Sequence, residues 1–346
     1  MIIVIRWIRL LLSYCLLMVF IFCALNYKMA VYLCYQAKGQ LHILFNREDI
    51  NQFVKRNNLS KHEKENILLI EKVKKFSVDS LDYKSTNNFT QIYNQKNATA
   101  LWVITASEPY ALKAYMWKFP LIGKVSYKGF FKKDLAEKEF YRLKSQGFDV
   151  DMRTVSAWST LGWLDDPILS NMLNRSSGSL CNLLFHELFH ATYYAPDAVN
   201  FNENIANFIA HKATIGFLQK DTAHLNEYLR NNKDNLCFNN FMVRQNTGLK
   251  HFYTEINRAP DKLILKLKAL NHISDSIKYL SEINLNRTEW RRKQILESKN
   301  AYFIDFEQYE SMQDSLESIF NKIYKGNLKR LVQDLRENKS IIKFDN

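Results

Sequence analysis

Glycine and proline are scarce, nine and five residues in a chain of 346. A β-sandwich with its many tight turns, or a long disordered linker, needs more of both, so the composition points to helices with a modest sheet. Cysteine is as thin. Of five residues, Cys15, Cys23 and Cys34 lie in or beside one N-terminal stretch, which leaves only Cys181 and Cys237 for the body. That excludes a disulfide framework; in an oxidising compartment one bridge between Cys181 and Cys237 is the alternative to two buried thiols, which are the expectation. No internal repeat or low-complexity tract interrupts the chain. The formal charge of +13 comes from lysines and arginines spread among acids, with no recognition motif beside them. They read as a solvated basic surface, and no nucleic-acid partner is expected.

Long hydrophobic runs are missing except near the start, where Leu10 to Leu25 carries no charge and is flanked by Arg6, Trp7, Arg9 and Tyr27. A run framed by basic and aromatic residues has the pattern of a membrane segment, and no small-x-small cleavage site follows it. The expectation is a cytoplasmic tail over 1–9, a transmembrane signal anchor over 10–27, and a domain over 28–346 on the periplasmic or extracellular side.

Histidine is also rare, eight residues, yet two stand four apart in His186-Glu187-Leu188-Phe189-His190. Positions i and i+4 share one helical face, so both imidazoles can reach a single cation. Glu187 is turned about 100° round the helix, beside the cation, where it can take a proton from water. The surrounding segment, Leu180 to Tyr194, is apolar on nearly every face. Polar side chains on a buried helix need partners, and zinc would be one.

A third ligand is the next requirement, and Glu203 in Phe201-Asn202-Glu203-Asn204-Ile205-Ala206 is the candidate. Pro196 and Asp197 separate two helical patterns, so the second helix can fold back antiparallel and aim Glu203 at the histidines. Ala206 and Ala210 follow at i+3 and i+7. Such a small-residue stripe permits the close approach that bonds of about 2 Å require. Three protein ligands leave a fourth position for water. Asn202 or a neighbouring carboxylate is the candidate for steadying a ligand histidine from behind.

HELFHATYY followed by FNENIANFIA resembles the bacterial putative aminopeptidase family of glutamate-type zincins (gluzincins), whose pattern is roughly HELAHxxxY and FNExxAxFV. Tyr35 to Gln40, Gln146 to Val150, Ala157 to Trp163 and Asp166 to Ser170 are similar to further elements of that family, as are Asn300-Ala301 and Tyr309. The resemblance implies a zincin-like catalytic core, a zinc ion on His186, His190 and Glu203, Glu187 as general base, and a peptide or protein substrate. It also implies a substrate-pairing strand near Met152 to Trp158, with Val155 and Ala157 facing the peptide, and Tyr309 as oxyanion donor in competition with Tyr193, Tyr194 and His211. A tethered binding protein on the same scaffold, without turnover, is the rival reading. The intact Glu187 weighs against it.

The fold expected is α+β and predominantly helical, with a small mixed sheet and the N-terminal transmembrane helix. The sheet-bearing part spans about 77–163, the active-site helices about 178–220 and a helical part 221–346. Ser60-Lys61-His62-Glu63 is a capping box that opens a helix to about Phe76, and Asp134 to Glu137 repeats it before a helix ending at Gly147. Ala100 to Ile104, Val125 to Phe131 and Asp149 to Trp158 read as extended. Asp166 before Pro167 reads as the cap and first residue of a short helix.

Overall fold

The computed structural model describes residues 5–7, 9–11, 13–14, 17–18, 21 and 26–337, except 97, 100, 120–122, 156–164, 197, 281–282 and 311, and except the side chains of 305 and 307–310. The chain divides into two compact units, Met1–Arg47 and Glu48–Asn346. The first holds the helix α1 (Tyr27–Phe45).

No helix among the described residues is long and apolar enough to cross a membrane. Lys28, Gln36, Lys38, Gln40 and His42 interrupt the apolar character of α1. The single-pass anchor expected over 10–27, and the periplasmic or extracellular placement drawn from it, are therefore withdrawn. Within that stretch 12, 15–16, 19–20 and 22–25 lie outside the described residues.

In the second unit β1 (Arg47–Asp49) leads to α2 (Ile50–Arg56) and α3 (Lys61–Asp79), and then to β2 (Gln91–Tyr93), β3 (Leu101–Ser107), β4 (Trp117–Phe119), β5 (Gly123–Val125) and β6 (Tyr127–Phe130). Next come α4 (Lys133–Ser145), β7 (Asp149–Val155), β8 (Ile168–Leu169), α5 (Ser177–His190) and α6 (Val199–Leu218). The remainder is helical: α7 (Thr222–Glu255), α8 (Lys262–Ser276), α9 (Leu285–Ser298), α10 (Asn300–Glu310), α11 (Gln313–Lys322) and α12 (Leu328–Arg336). A predominantly helical α+β chain with small sheets is thus what the sequence folds into.

The capping box forms as expected: the Ser60 N–H donates to Glu63 Oε2 at 2.7 Å and the Glu63 N–H to Ser60 Oγ at 3.2 Å. The second box does not. Lys132 is the N-cap of α4 and Asp134 sits inside its first turn, where it still faces the positive end of the dipole. Gly147 closes α4 at φ +87°, its N–H donating to the Lys144 carbonyl and that of Phe148 to the Leu143 carbonyl. Asp166-Pro167 opens no helix. Ile168 and Leu169 are drawn instead into parallel pairing with Ile92 and Tyr93, which buries both, and a 3₁₀ turn starts only at Ser170.

Two apolar cores support the unit. The first joins α3, α5, α6, α11 and α12 through Ile70, Val73, Leu184, Phe185, Phe189, Ile205, Ile209 and Val332. Each fully buried side chain of this size stabilises the fold by about 1.5–3 kcal/mol relative to exposure. The second joins α7 to α10 through Met242, Leu249, Leu270, Ile277, Ile295 and Phe303. A buried polar network ties the sheet to this second core. Lys266 Nζ donates to Asp149 and to the Pro109 carbonyl, the Asn300 N–H donates to Asp149 Oδ2 at 3.1 Å, and the Tyr253 hydroxyl donates to Asn300 Oδ1 at 2.6 Å. The family-like residues Asp149 and Asn300 are thereby accounted for by packing.

The sheet that bears on the site has the order β6-β3-β7, antiparallel throughout. α4 covers one of its faces: Lys128 pairs with Glu139 of α4, and Lys133 of α4 lies over the Trp102 ring. Period-two alternation turns Tyr127, Thr105, Asp151 and Arg153 to the other face. Arg153 Nη1 confirms that grouping by donating to Thr105 Oγ1 and Asp151 Oδ2.

Candidate metal centre

α5 is held by its apolar residues, with Leu180, Cys181, Leu184, Phe185, Leu188 and Phe189 all buried. A helix fixed on that face cannot roll, so the positions of His186 and His190 are determined by packing. The chain then turns, and Asn202 secures the turn with both ends of its carboxamide. The Ala195 N–H donates to its Oδ1 at 2.8 Å and its Nδ2 donates to the Ala195 carbonyl at 2.7 Å. α6 packs back along α5 with Ala206, Ala210 and Ala213 buried. These small side chains bring Glu203 against the histidines.

The three candidate ligand atoms converge. His186 Nε2 and His190 Nε2 are 3.0 Å apart, and Glu203 Oε2 is 3.3 Å from the first and 3.6 Å from the second. Three donors bound at about 2.05 Å with tetrahedral angles stand about 3.3 Å from one another. The observed triangle fits those edges, so His186, His190 and Glu203 form a group that could hold a metal ion. Electrostatics agree with geometry. Burial works to raise the pKa of Glu203, yet the hydrogen bonds from His186 and His190 hold it down at about 2, an ionised carboxylate throughout the physiological range. Burial works to lower that of His186, but Glu203, the charge of Glu187 and the Asn207 carboxamide outweigh it and shift it upward.

The outer partners of the two histidines differ. Besides facing Glu203 through Nε2, His186 makes a hydrogen bond with the Asn207 carboxamide. The Nδ1 of His190 is buried and has no hydrogen-bond partner among the described residues. Asn202, expected in this role, is engaged with Ala195, and Asn207, one turn after Glu203, occupies it. The sequence carries a faint signal for this, since 203 and 207 share a helical face.

A cavity of about 410 Å³ is lined by Asn182, Asn207, His211, Asn232, Asn239 and Glu317 among others. Asn182 and Asn207 each stand one helical turn from a ligand, His186 and Glu203. His211 Nδ1 is 2.9 Å from the Tyr228 hydroxyl, and burial together with Lys212 pulls its pKa to about 4.

Of the other expected residues, Glu187 is half-buried beside His186 and contributes to its charge environment. Tyr193 packs against the Phe189 and Phe201 rings. Val155 pairs with Leu101, while Ala157 and the side chain of Tyr309 lie outside the described residues. Sequence reasoning overlooked Tyr127. Burial first, then the charges of Glu203, Tyr194 and Glu187, push its phenol up to about 12, so this ring stands within electrostatic reach of the centre.

A family model described as "Putative aminopeptidase" matches residues 31–343, nearly the whole chain. No curated protein and no solved structure shows a significant match.

Proposed function

We propose, starting from the membership of this chain in the "Putative aminopeptidase" family, that it is a zinc-dependent peptidase whose metal ligands are His186, His190 and Glu203 and whose general base is Glu187. The observation that carries the reading is the triangle of donors at 3.0, 3.3 and 3.6 Å with a carboxylate on the adjacent residue of the same helix. Two nitrogens and one carboxylate oxygen are a donor set that zinc favours, and three ligands keep a coordination position open. Zinc held there supplies a Lewis acid that acidifies water and polarises a carbonyl.

The chain's own residues supply the rest. Glu187 receives the proton of the attacking water and returns it to the departing amine. Asn207 fixes the ring of His186, and Ala206 with Ala210 sets how closely Glu203 approaches. The carboxamide-lined cavity beside Asn207 offers room for a substrate side chain. A zincin-type core is part of the proposal. The substrate is a peptide or protein.

Digestion of a mixed peptide library by the zinc-loaded protein, beside Glu187→Gln, tests this. The expected result is cleavage that the substitution abolishes, with new termini reporting stepwise removal from the N-terminus. Cleavage equal in both proteins, or none in either, overturns the proposal.

A further inference from the structure

We infer that the cavity lined by Asn207 is a groove for peptide main chain, in which Asn232, Asn235 and Asn239 of α7 hydrogen-bond successive backbone amides of an extended substrate beside its scissile bond. The inference rests on the peptidase reading above and goes further, naming how substrate is gripped and why the grip is indifferent to sequence.

The first observation is continuity with the metal centre. Asn182 and His186 stand one turn apart on α5, and Glu203, Asn207 and His211 stand on successive turns of α6. His186 hydrogen-bonds the Asn207 carboxamide. One turn further from the ligands, the Tyr228 hydroxyl of α7 joins Asn182 Nδ2, at 3.0 Å, to His211 Nδ1, at 2.9 Å. A polar seam therefore leads from the ligands to α7, and Asn182, Asn207 and His211 are all walls of the cavity. Only residues 219–221 connect α6 to α7. So short a link makes the two helices antiparallel neighbours, and beyond Tyr228 α7 heads back in the direction of Glu203.

The second observation is the chemistry of that wall. Asn232, Asn235 and Asn239 follow at i, i+3 and i+7, on one face of α7, and all three line the cavity. Asn232 and Asn239 are half-buried and have no hydrogen-bond partner among the described residues. Asn235 engages only its Oδ1, which accepts from Arg287 and Arg291. Each carboxamide offers both a donor and an acceptor, the complement of a peptide group. The charges around them cancel, because Lys212 pairs with Glu317 at 2.8 Å and His211 is held neutral, which leaves the exposed Asp314. A neutral wall of amides suits a neutral ligand that repeats the amide group.

The third observation is length. Seven residues of helix rise about 10.5 Å, which about three residues of extended peptide cover at about 3.3 Å each. A single side-chain amide could not reach both Asn232 and Asn239, whereas a main chain passes them in turn. The volume of about 410 Å³ is that of a pocket enclosing several groups of a ligand.

The test uses full-length, zinc-loaded protein carrying Glu187→Gln and the best-cleaved library peptide, which then binds without being cut. Analogues carry one N-methylated amide at each of the three residues on either side of the scissile bond. Calorimetry is expected to show about 5-fold weaker binding for two or three consecutive N-methyl positions, with alanine in place of the side chains there changing less. Adding Asn232→Ala and Asn239→Ala is expected to weaken the parent peptide about 10-fold or more. In that background N-methylation at the same positions no longer matters, a coupling that a merely structural role would not produce. Alanine suits a helix better than asparagine, and each single variant repeats the measurement should the double one not fold. Wild-type turnover that depends on Glu187, together with parent affinity and N-methyl effects unchanged by the alanines, overturns the groove and leaves the peptidase reading standing. Wild-type protein without Glu187-dependent turnover removes that reading and this inference with it.

Discussion

Asn202 and Asn207 are five residues apart on one helix, and the structure gives them opposite duties. Asn207→Ala deletes the carboxamide that accepts from His186. The loss of such an outer partner of a metal-binding histidine weakens metal affinity about 10- to 100-fold, or about 1.4–2.8 kcal/mol. Folding stability of the metal-free protein changes by under about 1 kcal/mol, because alanine suits a helix better than asparagine and offsets part of the lost bond. Asn202→Ala inverts the pattern. That residue is buried, and its removal leaves both the N–H and the carbonyl of Ala195 unpaired. The cost is about 2–3 kcal/mol of folding stability, with zinc affinity shifted only a few-fold. Competition with a chromophoric chelator reads the affinity, and urea denaturation of metal-free protein reads the stability. Asn207→Ala binding zinc as tightly as wild type, while Asn202→Ala loses 10-fold or more, would refute the reasoning.

Three further outcomes follow from particular contacts. Glu139 lies under Trp117, Lys128 and Arg142; burial opposes its ionisation, but the bonds from Arg142 and Trp117 hold its pKa down to about 2. A depressed carboxylate contributes stability above its ordinary pKa that is lost as pH falls through the folded value. The gap between wild type and Glu139→Gln in urea titrations is therefore up to about 3 kcal/mol at pH 6 and closes towards pH 2. Lys266→Met strands Asp149 as a buried, uncompensated charge. It is expected to cost about 3–5 kcal/mol, and the double variant Asp149→Asn with Lys266→Met to recover much of that; a double variant no more stable than Lys266→Met would contradict the pairing. Gly178→Ala places a Cβ 2.5 Å from the Tyr228 Cβ. Displacing that ring should lower Tm by several degrees and loosen the His211 contact, seen as a rise in the histidine's pKa by NMR.

The centre was legible because its information is local. A four-residue repeat fixes two histidines on one face, and the alanines at 206 and 210 announce the helix that meets it. The capping box at Ser60 is legible for the same reason, since both partners lie within one turn. What escaped is set by contacts distant in sequence. Asp166-Pro167 carries a sound local signal for a helix start, but Ile168 and Leu169 gain more from burial against β2, some 76 positions away. Tyr127 is one of eighteen tyrosines, and only folding brings its phenol within reach of the charges of Glu203 and Glu187. Asn202 was singled out because it adjoins Glu203 in sequence, whereas on a helix it is Asn207, one turn on, that shares the face of Glu203. The N-terminal run satisfied composition and flanks as a membrane span, yet no described helix is long and apolar enough to cross one.

The central claim is that His186, His190 and Glu203 together bind one zinc ion, and elemental analysis of the purified protein tests it most directly. One zinc per chain is expected in the wild type and in Glu187→Gln, with near-complete loss in His190→Ala while circular dichroism still reports folded protein. A wild type without stoichiometric zinc, or a folded His190→Ala that retains it, would contradict the account.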